Sequence, residues 1–305
     1  ALARTGRIDE SHNLLRHLAG IHIAADHFEK ARDTLERLLA QSPEDIPALE
    51  RMADVYTGLG DEDMVVATTE RLLSIHQSRN NHGELVTHCR AILDLRPDHI
   101  EAHKRLAYAY EQLKKTDEVV EILLKLADIY RSRNQDEEER QALRDVLEAN
   151  PNELRAVRRL TLLTLAAGTS EEGLAQLDRY LELTLAADNS EEALIFLREL
   201  LDRDPEEVAF HRRLIDLLKR IRQTQEAIKR LHVLIGILEP RQLFGDVAEL
   251  YREMLDLEPD NLEPRAKLID ILLRQQRRPE AIREYLRLSA DHESKRSEEH
   301  TSELQ

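Results

Sequence analysis

The chain has 305 residues, 41% hydrophobic and 34% charged, with 9 Gly, 9 Pro, 4 Phe and no Trp. So few turn formers and aromatics favour helix and exclude sandwiches, barrels and glycine-loop nucleotide folds, while a net charge of −16 repels a nucleic-acid backbone. The single cysteine, Cys89, closes no internal disulfide and builds no thiolate metal site, and no apolar run approaches the ~18 residues of a membrane span.

In chain order, Ala1 falls inside a repeat, so the reading places the natural N-terminus upstream, with any signal peptide there, and expects a cytoplasmic protein. Prolines then recur at Pro43, Pro97, Pro151, Pro205 and Pro259, each 54 residues after the last. This period defines units near 43–96, 97–150, 151–204 and 205–258, with a partial unit at 259–295. Residues 1–42 form another partial unit, because Leu38-Leu39 stands where Ile92-Leu93 and Leu200-Leu201 stand later.

Apolar spacing of three and four residues predicts three helices per unit, near 44–58, 62–77 and 81–94 and then at the same period. The proline is assigned to the first turn of the first helix. Thr116, Ser170 and Thr224, followed by mostly acidic residues, are read as N-caps of the second helix, whose core column runs through Leu72, Leu126, Tyr180, Leu234 and Leu288. Asp26, Asn80, Asn134 and Asp188 mark the turn into the third helix, since these residues tolerate the turn at the junction. Short junctions make consecutive helices antiparallel. The fold class expected is all-α, a right-handed αα-solenoid of antiparallel helices forming one array over residues 1–291. The last ten residues, 296–305, read as the in-frame translation of a short-read sequencing adapter and are set outside the fold.

Leu106-Ala107 with Tyr110 on the first helix, Ala227 and Ala281 on the second, Tyr130 and Ala193 on the next pair, and the periodic proline together resemble the tetratricopeptide repeat, whose helix pairs span about 34 residues. The second helix of each unit serves in two overlapping pairs. The resemblance implies a scaffold that binds a protein or peptide on an extended helical surface, with no cofactor and no catalysis.

Arg90/Asp94, Arg144/Glu148, Arg198/Asp202 and Arg252/Asp256 are spaced to pair within one helix. A basic column, Arg51, Arg105, Arg159, Arg213 and Lys267, points away from the apolar face of the first helix and is expected to be exposed. Most of it has an acid on the same helix, but Arg159 has none. With Arg155, Leu162, Tyr108 and Arg105 it makes the candidate protein-binding spot, since arginine and aromatic residues favour interface centres. Its expected partner is an acidic and apolar protein or peptide. The weighed alternative is that Leu162 and Tyr108 pack against neighbouring helices.

His99 and His103 stand one turn apart, but Glu101 between them is ~100° from where a zinc-site general base would lie. No metal site is expected. Phosphate-binding and nucleophile-elbow motifs are absent from the sequence. The leading function is therefore a non-enzymatic interaction scaffold; the alternative is the regulatory or substrate-recruiting arm of a larger enzyme.

Overall fold

The computed structural model describes the backbone of residues 2–166 and 168–303, and the side chains of 10–166 and 168–290. These residues divide into two compact units, Ala1–Leu177 and Asp178–Gln305. Helices of the first are α1 (Leu2–Ala24), α2 (Phe28–Gln41), α3 (Ile46–Leu59), α4 (Glu62–Ser78), α5 (His82–Leu95), α6 (Ile100–Gln112), α7 (Thr116–Ser132), α8 (Asp136–Ala149) and α9 (Leu154–Leu165). After α10 (Glu171–Ala186), which spans the division, the second unit holds α11 (Ser190–Arg203), α12 (Val208–Arg220), α13 (Thr224–Leu238), α14 (Phe244–Leu257), α15 (Leu262–Arg274) and α16 (Arg278–Glu303). The fold is all-α, with no strand among the described residues. None of the helices in them is long and apolar enough to cross a membrane.

Three turn types repeat with the sequence period. Before α3, α6, α9, α12 and α15, the amides of Asp45, His99, Glu153, Glu207 and Asn261 donate to the carbonyls of Ser42, Arg96, Asn150, Asp204 and Glu258. Each periodic proline is thus the second residue of a β-turn, where its fixed φ is preset. The prolines lie ahead of the helices and not in their first turn as expected. The helix start is capped instead by the residue two further on: Asp45 accepts from the Ala48 amide at 3.0 Å, and His99 Nδ1 from the Ala102 amide at 3.1 Å. Burial by itself raises the Asp45 pKa, but the Arg16 guanidinium and the Ala48 amide outweigh it and hold the carboxyl below its ordinary 3.8.

At the turn between second and third helices, Asp26, Asn80, Asn134, Asp188 and Gln242 have φ of 54–59°. At the turn between first and second helices, Gly60, Lys114, Gly168, Arg222 and Gln276 also have positive φ. In nearly all of these turns the following amide bonds back five residues, as Asn81 to His76, Lys115 to Tyr110 and Gln223 to Leu218. This is the Schellman closure, which satisfies the helix's last carbonyls while reversing the chain. The four junction residues expected from the sequence do sit at these turns, and they hold left-handed backbone there. The expected caps are corrected at Thr116 and Thr224, which begin their helices without capping them; Ser170 does cap, accepting from the Gly173 amide at 3.1 Å.

Apolar columns fill the cores. In the first unit one cluster joins Ala31, Leu35 and Leu38 to Leu49, Met52 and Leu72, and another joins Leu85 and Ile92 to Leu106, Leu126, Leu143 and Leu160. In the second unit Leu231, Leu234, Val247, Met254 and Leu268 form the centre. Leu126 is 3% exposed and Leu234 0%.

Arginines tie helices and turns that lie one helix pair apart in the chain. Arg79 reaches Glu44, Arg133 reaches Asp98, Arg213 reaches Asp178, Arg241 reaches Glu206 and Arg274 reaches Glu239, each across 35 residues. Thirty-five residues is about one helix pair, so each tie joins equivalent points of successive pairs. The four expected pairs within the third helices do not form: Arg90 donates to the Tyr110 hydroxyl at 2.6 Å, and Arg252 to Glu249 and, at 3.1 Å, Glu280. Arg90 thus takes a partner on the next helix, and Arg252 takes Glu249 on its own helix and Glu280 on α16, in place of the acid four residues on.

Candidate protein-binding surface

α7 is covered nearly all round, burying Val119, Val120, Leu123, Leu124, Leu126 and Tyr130. α6 and α8 flank it and, because consecutive helices are antiparallel, run parallel to one another. Small residues, Ala107 on α6 and Ala142 on α8, leave a groove of about 710 Å³ between them, floored by Leu123, Leu126 and Tyr130 and edged by Tyr108. Along α6 and its C-terminal turn stand Lys104, Glu111, Lys114 and Lys115; along α8 stand Glu138, Asp145 and Glu148. Lys115 lies 3.8 Å from Glu118, and Asp145 accepts from Gln141 at 2.7 Å. Lys104, Lys114, Glu138 and Glu148 are exposed and have no ion partner among the described residues.

A second groove, about 460 Å³ between α10 and α12 in the second unit, differs in kind. Its arginines are already engaged, Arg213 with Asp178 at 2.6 Å and Arg220 with Glu182 at 2.6 Å.

The residues singled out from the sequence are not brought together as a free basic patch. Arg159, expected to be unpaired, bonds Glu139 on α8 at 2.6 Å and Asp128 on α7 at 2.6 Å, and its side chain is only 17% exposed. Arg155 bonds Glu121 on α7 and Glu153, each at 2.8 Å, and these two carboxylates hold its guanidinium well above its ordinary pKa. Arg105 keeps the expected Glu101 at 2.8 Å and adds Ser74 on α4 at 3.2 Å. Arg51 donates to the Arg16 carbonyl on α1. Arg51, Arg105, Arg159 and Arg213 are all half-buried, and only Lys267 is exposed. The column expected to face solvent lies in the seam with the neighbouring helix of its layer, which a single-helix projection does not contain. Leu162 is half-buried, and Tyr108 packs on the core and meets the His82 ring edge-on at 5.9 Å. Sequence reasoning missed the groove itself; its signal is the pair of alanines on the two flanking helices.

The remaining chemistry-bearing side chains are structural. His99 caps α6 and approaches Glu70 at 3.3 Å, and His103 turns Nδ1 to the His99 carbonyl at 3.1 Å. Burial pushes the His103 pKa down and the Cys89 thiol up to about 12, as fits core residues and not a reactive thiolate. Among the described residues there is no cluster of three potential metal ligands.

Two tetratricopeptide-repeat family models match, over residues 12–55 and 121–153; these stretches fall on α1–α3 and on α7–α8 with Pro151. No curated protein matches the chain. Solved structures similar to it include pilF of Pseudomonas aeruginosa, at 14% identity over 67% of this chain and 96% of that one, TM-score 0.28. Others are the P58(IPK) TPR domain, at 13% over 92% and 93%, TM-score 0.24, and a Rap protein complexed with competence and sporulation factor, at 14% over 85% and 76%, TM-score 0.32. The two family matches identify tetratricopeptide repeats at residues 12–55 and 121–153, and with the left-handed turns recurring in register and the ties one helix pair apart they describe an all-α helical repeat protein.

Proposed function

We propose that this protein is a non-enzymatic scaffold that binds a protein or peptide segment on its helical surface. A helical repeat builds its core only between neighbours and leaves long side-chain-decorated surfaces, a form suited to extended contacts. The observation that carries the reading is the α6–α8 groove, where an apolar floor lies between walls on which Lys104, Lys114, Glu138 and Glu148 have no ion partner among the described residues. Of the sequence-selected residues, Tyr108 is the one the reading retains as a contact; Arg105, Arg155 and Arg159 already spend their charge inside the chain, which removes the ground for an acidic partner directed at them. We also propose that residues 1–291 act as a single array.

Panning a random-peptide display library on the purified protein tests this. Recovery of peptides that bind the folded chain and are released on its unfolding is the expected result; a library that enriches nothing over an uncoated support overturns the reading.

A further inference from the structure

We propose, resting on the scaffold reading, that the α6–α8 groove takes an amphipathic helical segment of another protein whose two flanks carry opposite charge: acidic toward Lys104 and Lys114, basic toward Glu138 and Glu148. The groove has three surfaces, and each asks for a different chemistry. Its floor of Leu126, Tyr130 and Ala142 takes apolar side chains, which a helix supplies at three- and four-residue spacing. The wall along α6 is net basic, with Lys104, Lys114 and Lys115 against the single acid Glu111, and the wall along α8 is acidic, with Glu138, Asp145 and Glu148. At about 710 Å³ the space lies within the ~300–1,000 Å³ typical of ligand sites, enough for the inserted side chains of one segment and too small for a globular domain.

The unpaired charges set the specificity. Other basic groups of the first unit meet an acid across helices, as Arg133 meets Asp98 and Arg159 meets Glu139. Here the walls are held apart by the groove and stay unneutralised. A segment with acids on both flanks would satisfy Lys104 and Lys114 but set like charge against Glu138 and Glu148, and a segment with bases on both flanks would do the converse. Such a mismatch rejects single-sign partners, which is discrimination by repulsion as well as attraction. Nucleic acid is rejected on the same ground, by the α8 wall.

The test uses three fluorescein-labelled synthetic helices of about four turns with one apolar stripe in common. One carries Glu on one flank and Arg on the other, one carries Glu on both and one carries Arg on both. Binding to the full chain is read by anisotropy at low salt. The mixed helix should bind about tenfold more tightly than either single-sign helix, a difference that narrows with added salt. In the variant Glu138→Lys with Glu148→Lys, whose sites are exposed and whose fold is checked by its circular-dichroism melt, preference should pass to the all-Glu helix. Equal affinities for the three helices, an unchanged preference in the variant, or no binding of any helix would overturn the proposal. If panned peptides nevertheless bind, only the assignment of this groove and its partner falls; if panning also fails, the scaffold reading falls with it.

Discussion

Glu139 is 2% exposed on α8, and its charge is compensated by Arg159, which reaches it from α9 with bonds of 2.6 and 3.2 Å. Removing one member of such a pair strands the other in low dielectric and costs about 3–5 kcal/mol, so Arg159→Ala should lower stability by that order in chemical unfolding. Arg155→Ala, on a side chain 57% exposed, should cost no more than about 1 kcal/mol. Equal losses would show that Glu139 is not the residue at stake. Two histidines set the pH response. Burial pushes the His88 ring, stacked on His76 and near Glu84, and the His103 ring, near His99, Lys125 and Asp98, below their ordinary 6.5. The folded chain keeps them neutral while the unfolded chain takes up protons from about pH 6.5 downward. Stability from their neutral burial is full above that pH and is lost as pH falls through 6.5 toward the folded values. Asp45, held below 3.8, loses its contribution only in more acidic solution, outside that window. The urea midpoint should fall between pH 7.5 and 5.5, and fall less in the double variant His88→Gln, His103→Gln; a flat profile for the native chain would refute it.

Helices here are ended by turns that demand left-handed backbone, and the chain fills those positions unevenly. Asp188 has φ 56° and Arg222 φ 61°. Left-handed backbone costs an ordinary L-residue about 1–2 kcal/mol, less for Asp or Asn, whose side chains bond locally. Glycine removes this strain but adds back some chain entropy. Arg222→Gly should therefore stabilise by about 0.5–1 kcal/mol and Asp188→Gly by less, read from urea midpoints; a loss at Arg222 would mean that its side chain holds the turn. Helix faces are more costly to disturb than helix ends. Leu234 is fully buried on α13 among Leu231, Val247 and Met254, so Leu234→Ala should cost about 2–5 kcal/mol through the cavity it leaves.

Stability in a repeat protein is a sum of contacts between neighbours, and it is unevenly shared along the chain. On α16, Ile282 and Tyr285 are 59% and 63% exposed, whereas the residues 54 positions earlier, Ile228 and Leu231, are 8% and 0% exposed on α13. α13 is covered by α12 and α14, and α16 by α15. Hydrogen exchange should accordingly run faster in residues 278–290 than in α13, within the same unit; equal protection would contradict a neighbour-sum account. Residues 296–305, whose side chains lie outside the described ones, should be removable without a change in melting temperature, checked by calorimetry on the shortened chain.

Although α16 continues to Glu303, through residues the sequence reading set outside the fold, the period of 54, the spans of α3 to α15 to within two residues, most of the apolar columns and the junctions at Asp26, Asn80, Asn134 and Asp188 were determined by the sequence alone. Each depends on backbone geometry and on residues close together in the chain, where spacing is a direct record of which face or turn a residue occupies. The proline turns were legible as breaks but not as turns, because a proline one residue inside a helix and one in the turn before it satisfy the same φ. Tertiary structure decided the partners of the arginines. Arg159 finds Glu139 and Asp128, and Arg213 finds Asp178, on helices that meet only after the chain has reversed once or twice. A long, mobile guanidinium goes to whichever carboxylate the packing brings near, so a helical projection showed the direction in which each arginine leaves its helix and not what stands there. The groove between α6 and α8 arises in the same way, since Ala107 and Ala142 are ordinary small residues until two helices place them opposite one another.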